Sequence, residues 1–184
     1  MKKEAIINRQ KELLQKLAEE LKNLTDVIEY VPADDKLLVD SLLTEHEDLG
    51  IGNDTAVGQY YFAPVVFEES DVEQFIIMLN LSEELEESKK VDMLQAITFV
   101  NYLLPTGAFV MDPALEMLSY KRGVTLAVAD EEEKTLSMIL YEILNALNMV
   151  SVFAAPLLAY MVDDVNWEEF VEACGILLDP SGLK

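Results

Sequence analysis

The stretch QYYFAPVVF-EESD-VEQFIIMLNL, from Gln59 to Leu81, decides the fold class. Both of its ends are rich in Val, Ile, Tyr and Phe, which are enriched in strands, and four polar residues separate them. The pattern predicts a hairpin of Gln59–Phe67 and Val72–Leu81. Because Pro64 has no N–H to donate to a neighbouring strand, it predicts that the first of these strands lies at a sheet edge.

A second hairpin is predicted farther along the chain, from the extended patterns of Ala108–Met111 and Leu115–Val128. Residues 112–114 separate the two patterns, and the proline among them supplies the fixed φ of a turn. From Leu118 onward alternate residues share one phase, whereas the residues before it follow the other. The change of phase predicts a bulge or bend near residue 118.

Apolar residues at helical spacing flank the two hairpins. The predicted helices span residues 7–28, 93–104, 130–147, 150–162 and 165–178. Asp130 and Glu133 resemble a capping box at the start of the third helix, whose wide core-facing stripe includes Leu144. Pro156 is expected to break the fourth helix. Residues 34–43 form either a short helix or a strand.

Hairpins with adjacent helices predict an α+β fold, in which helices cover one face of an antiparallel sheet of two β-hairpins, with an N-terminal amphipathic helix and a helical C-terminus. Since 51% of the 184 residues are apolar, the chain is expected to fold as one domain over residues 1–184. Residues 48–58, which hold three glycines, are expected to form a loop.

The N-terminal helix carries an apolar stripe whose spacing alternates between three and four residues once Gln10 is included. Its members are Ile7, Leu14, Leu17, Leu21, Leu24 and Ile28. Three such heptads form either a seam with another chain or a face packed on the chain's own sheet. These six residues are the predicted partner or dimer interface.

Charge is the outstanding feature of the composition, with 35 acidic and 13 basic side chains and a net charge of -22. Such a field repels phosphate backbones and anionic lipid surfaces, so nucleic-acid binding is not expected. Residues 1–22 hold six basic and four acidic groups, a net +2, whereas the remaining 162 residues carry -24. Attraction between the first segment and the rest is therefore expected.

Cysteine usage and hydropathy indicate the compartment. Cys174 is the single cysteine, which excludes an internal disulfide and is typical of a reducing environment. The first residues lack the apolar core of a signal peptide, and the longest mostly apolar window, Met149–Val162, contains Pro156 and is shorter than the ~20 residues that span a bilayer. We expect a cytoplasmic protein without a membrane anchor.

The sequence offers few candidates for chemistry. His46, the single histidine, lies in Glu45–Asp48 among carboxylates that suit a hard divalent cation, but a zinc site needs more His or Cys ligands. Cys174 has apolar helical neighbours, where a buried thiol is the usual outcome, and as a nucleophile it would need His46 as its base. Gly50–Thr55 lacks the third glycine of a dinucleotide loop. No catalytic residue, metal site or cofactor is predicted.

Three carboxylate clusters and two basic doublets complete the candidates. The clusters Asp34-Asp35, Glu131-Glu132-Glu133 and Asp163-Asp164 are candidates for acid–base or cation chemistry, but adjacent carboxylates at helix starts usually serve capping and the helix dipole. The doublets Lys89-Lys90 and Lys121-Arg122 either meet a carboxylate-rich partner or pair within the chain, and the acid excess favours internal pairing.

One ordered pattern resembles a known family. Its parts are an Asn near a helix end (Asn101), a Gly-x-Phe-x-x-Asp strand (Gly107 to Asp112), a strand ending in Lys121-Arg122, and a later helix with Pro156-Leu157-Leu158. The pattern covers about a third of the chain and is similar to the YbjN-like family of proposed bacterial sensory transduction regulators. The resemblance implies a fold like that of type III secretion chaperones, frequent dimerisation, and no catalytic residues to carry over.

We therefore expect a non-enzymatic protein-binding module, chaperone-like or regulatory, that forms a homodimer and binds a protein partner of unknown identity. An alternative is an acidic decoy that engages a basic protein, with long-range charge attraction that salt weakens. A metal-dependent enzyme is a third hypothesis.

Overall fold

The computed structural model describes residues 3–35, 38–47, 49, 55–64, 71–81, 87–112 and 117–178. Its helices are α1 (Lys3–Leu21), α2 (Lys90–Leu103, preceded by a 3-10 turn at Glu87–Lys89), α3 (Glu132–Met161) and α4 (Trp167–Leu178). Its strands are β1 (Ile28–Val31), β2 (Ser41–His46), β3 (Ala56–Phe62), β4 (Val72–Asn80), β5 (Ala108–Asp112) and β6 (Met117–Ala127).

The strands form one antiparallel sheet in the order β1-β2-β3-β4-β6-β5. The α+β class and both predicted hairpins, β3–β4 and β5–β6, are confirmed. The predicted edge position of β3 is wrong, because β3 lies between β2 and β4. The strand ends at Phe62, and Pro64 lies beyond it, where a missing backbone N–H removes no hydrogen bond between strands. Two strands precede the hairpins: β1 was not predicted, and β2 begins at Ser41 inside the ambiguous stretch 34–43.

The pairing of β6 is regular along its whole length. Its partners run without interruption from Val72–Ala127 to Asn80–Ser119 in β4, and from Asp112–Met117 to Ala108–Lys121 in β5. The predicted bulge near residue 118 is therefore wrong. Met117, the first residue of β6, lies on the face opposite Leu118 and is half-buried there. Its apolar side chain therefore reflects partial burial on that face and does not mark a change of register.

Alternate side chains of the sheet face a shared core with the helices. The core face includes Leu42, Tyr60, Phe75, Ile77, Leu79, Tyr120, Val124 and Leu126, all buried. Helices α1, α2 and α3 contact the sheet, and α4 packs on α3. The opposite face is more open, since its residues in β4 and β6 are half-buried or exposed apart from Ser119.

Helix α1 ends seven residues earlier than predicted, at Leu21, and Ile28 is the first residue of β1. Its buried face is wider than the predicted stripe and also contains Ile6 and Leu13. A wide face of this kind is typical of a helix packed on its own domain. Of the two alternatives for α1, packing on the chain's own core is the one that the structure shows.

A buried ion pair fastens α1 to the middle of the sheet. The guanidinium of Arg9 pairs with the carboxylate of Glu73 on β4, which is almost completely buried. Gln10 Nε2 donates to the second Glu73 oxygen at 3.1 Å, and Arg9 also donates to Thr135 Oγ1 of α3 at 3.0 Å. One cation thus joins three elements: α1, β4 and α3.

Two further cations of α1 pair with acids elsewhere in the chain. Lys11 lies 3.4 Å from Asp40, and Lys16 pairs with Glu132 at the start of α3. The expected attraction between the basic first segment and the acidic remainder is confirmed. Lys22, directly after the end of α1, pairs instead with the neighbouring Glu19 of that helix.

The two helices predicted for residues 130–162 form a single helix, α3, in which Pro156 is accommodated. Pro156 removes one backbone N–H, but the apolar face continues on both sides of it. The predicted capping box is also wrong, since Glu131 is the N-cap without a side-chain hydrogen bond and Asp130 accepts from Lys134 instead. A capping box does occur at α4, where Asn166 and Glu169 exchange hydrogen bonds.

Among the described residues, α3 is the one helix long and apolar enough to cross a membrane by length and composition alone, and 39% of its most apolar window is buried within the fold. A helix broken at Pro156 would be too short to span a bilayer, but α3 continues through Pro156. Because soluble core helices meet the same criteria, the absence of a membrane anchor stays a prediction.

The corner between α2 and β5 depends on Gly107 and Tyr120. Gly107 has a φ of +69°, and a Cβ at this position would collide with the Tyr120 hydroxyl. That hydroxyl donates to the carbonyl of Thr106 at 2.9 Å. The turn therefore requires both a left-handed backbone and the space of a missing side chain.

We predict that Arg9→Met lowers the free energy of unfolding by about 3–5 kcal/mol, because it leaves the buried Glu73 carboxylate without its cation. Urea denaturation at neutral pH measures the loss. Lys22→Met is the matched control, since its exposed pair should contribute less than about 1 kcal/mol. Adding Glu73→Gln to Arg9→Met should recover part of the loss. Equal losses for Arg9→Met and Lys22→Met would contradict the assigned role.

We predict that Gly107→Ala destabilises the fold by about 2–3 kcal/mol, because the new methyl group meets the Tyr120 hydroxyl and the backbone is left-handed. The same substitution at Gly175, an exposed helical position with no atom near the added Cβ, should stabilise by about 0.5–1 kcal/mol. Denaturant titration of both variants measures the difference. A neutral effect at residue 107 would contradict the steric argument.

Candidate functional site

The six predicted interface residues of the N-terminal segment do not form one exposed stripe. Leu14, Leu17 and Leu21 are buried in the protein's own core, which corrects their assignment to a surface seam. Ile7 is half-buried at a cavity of about 360 Å³ that Lys3 and Lys11 also line. Leu24 and Ile28 lie beyond the helix, in the turn after it and in β1. For Ile7, Leu24 and Ile28 a role in partner contact stays a prediction.

Helix α2 presents an apolar surface to solvent that the sequence analysis missed. Val91, Leu94, Thr98 and Tyr102 follow one another at intervals of three and four residues and therefore lie on one face. Tyr102 is 87% exposed, Val91 76% and Leu94 51%. Its opposite face, with Met93, Ile97 and Val100, is buried as predicted. We call the exposed set the α2 stripe.

The outward face of α3 forms a longer surface. Its exposed residues Tyr141, Leu144, Asn148, Ser151 and Ala155 alternate between steps of three and four, the spacing of a helix–helix seam. We call these five residues the α3 stripe. Tyr141 is 63% exposed and Leu144 48%, so the predicted burial of Leu144 is wrong. No charged residue occurs between Glu142 and Asp163.

The edge of the sheet at β5 is partly blocked. Asn101 of α2 donates from Nδ2 to the carbonyl of Phe109 at 2.9 Å and accepts from the Phe109 N–H at 2.8 Å. These two backbone groups are therefore not available to an added strand, which limits β-augmentation at this edge. Asn101, Gly107 and Phe109, which belong to the family-like pattern, thus support the fold at this corner.

His46 belongs to a buried polar cluster on the core face of β2 and β3. Its Nε2 lies 2.8 Å from Thr44 Oγ1 and 2.9 Å from the Tyr60 hydroxyl. Burial lowers the pKa of His46 and raises the pKa of Tyr60 to about 12. A neutral imidazole bonded through Nε2 to the two hydroxyl groups brings no formal charge into this buried cluster.

A cavity of about 300 Å³ adjoins this cluster and is lined by Asp26, Glu45, His46 and Glu47 together with Leu24 and Leu147. Within the described part of the chain, no group of three or more His, Cys, Asp or Glu side chains is arranged to hold a metal ion. Asp48, the last carboxylate of the candidate cation site at His46, lies outside the described residues.

Cys174 is buried on α4, and burial raises the pKa of its thiol to about 11. At neutral pH the thiol is protonated, which disfavours both nucleophilic attack and metal binding. The packing role predicted for Cys174 agrees with its burial. Of the glycine-rich stretch 48–58, residues 56–58 belong to β3, and residues 48 and 50–54 lie outside the described residues.

The remaining charged candidates mostly take part in ion pairs within the chain. Arg122 pairs with Glu142, Lys89 with Asp163, and Glu132 with Lys16. Internal pairing of the two basic doublets is confirmed for Lys89 and Arg122, whereas Lys121 is exposed on the open face of the sheet. Of the three carboxylate clusters, Glu131–Glu133 lies at the first turn of a described helix, α3. Asp34-Asp35 and Asp163-Asp164 lie outside the described helices, so their predicted place at helix starts is wrong.

The chain matches no protein-family model, and no curated protein matches it. It is similar to the crystal structure of YbjN, a proposed transcription regulator from E. coli, with a TM-score of 0.42 and 11% sequence identity over 82% of this chain and 90% of that chain. A likeness of this size does not assign the family, and membership in the YbjN-like family stays a prediction.

We predict that the native state loses stability as the pH falls from 7.5 to 5.5. Because burial lowers the pKa of His46 below its ordinary value of about 6.5, the unfolded chain binds this proton at a higher pH than the folded chain does, and stability falls as the proton is taken up. Urea midpoints at the two pH values measure the effect. His46→Gln should reduce the difference between them, and an unchanged difference would contradict the assignment.

Proposed function

We propose that this protein is a non-enzymatic, homodimeric protein-binding module of a chaperone-like or regulatory kind. The observation that carries the proposal is the α2 stripe, where Val91, Leu94 and Tyr102 are all more than half exposed on one helical face. Scattered exposed apolar residues are ordinary on protein surfaces, but these three lie on one helical face, with Thr98 between Leu94 and Tyr102. Such a face fits an apolar partner segment.

The position of the α2 stripe supports its use as a docking surface. On one flank Phe99 packs against Trp167 and Phe170 of α4, with ring centroids 5.9 Å and 6.0 Å apart. On the other flank Asn101 holds β5. Because both flanks are fixed, α2 presents its exposed side chains on a rigid base, and a partner does not have to order them.

Charge supports a further property of the partner. Six basic side chains form ion pairs within the chain: Arg9, Lys11, Lys16, Lys89, Arg122 and Lys134. Because the sequence holds 35 acidic but only 13 basic side chains, a large net negative charge remains. The resulting field attracts a partner whose flanking residues are basic. This same observation favours the alternative function, an acidic decoy that binds a basic protein mainly through charge.

We predict that the triple variant Val91→Ser, Leu94→Ser, Tyr102→Ser loses the proteins that the wild type captures from extracts of its own cells, because it removes the apolar strip without changing net charge. Captured proteins are identified by mass spectrometry, and circular dichroism checks that the variant is folded. Val27→Ser, a partly exposed valine outside the stripe, is the matched control and should capture the same proteins as the wild type.

The salt dependence of capture distinguishes the apolar docking module from the acidic decoy. Capture that depends on the α2 stripe should persist at ~1 M salt, where the Debye length is about 3 Å. Capture that disappears at this salt concentration and is unchanged in the triple variant would contradict the proposal and favour the acidic decoy.

A further inference from the structure

The α3 stripe is unusual for a protein of this composition. Acidic and basic residues make up 26% of the chain, yet residues 143–162 contain none. The stripe is nevertheless exposed at Tyr141, Leu144, Asn148, Ser151 and Ala155. An uncharged face of this length on a surface that carries a net charge of -22 requires an explanation.

Charge indicates what kind of surface can cover it. Two copies of this chain repel each other through their net charge of -22 each. They approach with least repulsion where neither presents a carboxylate, and among the exposed helical faces α3 offers the longest such run. Glu142, the nearest acid within the helix, already pairs with Arg122.

The order of side chains along the α3 stripe is self-complementary. Its first half holds the large residues Tyr141 and Leu144, and its second half the small residues Ser151 and Ala155. In an antiparallel pair of identical helices the first half of one lies against the second half of the other. With Leu144 opposite Ala155 a large side chain faces a small one, the arrangement that fills a helix–helix interface without voids or collisions. Tyr141, opposite the position of the buried Leu158, lies at the end of the contact.

We propose that a second copy of the chain covers the α3 stripe, with the two α3 helices antiparallel across a two-fold axis. This inference rests on the proposed homodimer and assigns its interface. Leu144 then lies opposite the partner's Ala155, and Asn148 opposite the partner's Ser151. An isologous contact repeats each of these pairs twice, and the central polar pair fixes the register of the apolar residues beside it.

The first test measures mass in solution by analytical ultracentrifugation of the full chain. The wild type is expected to be dimeric at micromolar concentration and to dimerise more tightly when salt rises from 0.05 to 0.5 M, because salt screens the repulsion between two acidic copies. Leu144→Glu should weaken the dimer at least about 100-fold while circular dichroism stays unchanged, since it introduces a carboxylate into an apolar contact. Val27→Glu is the matched control and should remain dimeric.

A rescue experiment tests the antiparallel register. Ala155→Lys alone should weaken the dimer, but the double variant Leu144→Glu, Ala155→Lys should regain at least about tenfold in affinity over either single variant. In the antiparallel pair each introduced carboxylate lies opposite the introduced ammonium of the other copy. Within one helix the two positions are three turns apart and cannot pair. A double variant no tighter than the single variants would overturn the register.

The other outcomes also decide the matter. A dimer that survives Leu144→Glu would overturn the α3 interface while leaving the proposed homodimer intact. A wild type that stays monomeric at both salt concentrations would overturn the homodimer and the interface together. If that monomer instead binds phosphatidylcholine vesicles and Leu144→Glu abolishes this binding, the stripe is a lipid-contacting face and the proposal is wrong.

Discussion

The ion pair between Arg9 and Glu73 determines how the helical layer lies on the sheet. Glu73 is buried near the start of β4, an inner strand of the sheet, where an unpaired carboxylate costs several kcal/mol. The chain can bury it only if α1 brings Arg9 and Gln10 to it, and Arg9 reaches Thr135 of α3 from the same position. The placements of α1, β4 and α3 are therefore not independent.

The consequence for function is that the apolar face of α1 packs within the protein and is not available to a partner. Its apolar face packs in the core and three of its cations pair with acids of other elements. A segment that looks separate in the sequence, basic and regularly spaced, is thus an internal component. The outward faces of α2 and α3 carry exposed apolar side chains at helical spacing, and these are the surfaces that we propose for partners.

Much of the fold was predictable because strand and helix periods are local properties. The alternation from Leu118 to Leu126 and the two hairpin turns were sufficient to place four strands. The corrections at the two prolines have another origin: Pro64 and Pro156 each remove one N–H, and whether that matters depends on the hydrogen bond expected at that position. Likewise Asp130 and Glu133 match a capping pattern, but Lys134 binds Asp130 instead, while the capping box at Asn166 was missed.

The candidate site was harder to predict because apolar spacing does not say what covers an apolar residue. Residues 143–162 contain no charge, and their apolar spacing predicts a core-facing stripe that includes Leu144. The same composition suits a helix whose inner face packs on its own sheet and whose outer face packs on another molecule, since water is excluded from apolar surface in both cases. Separating the two requires the fold, which shows how much of α3 the chain itself can cover. The exposed Tyr141 and Leu144 mark where that cover ends.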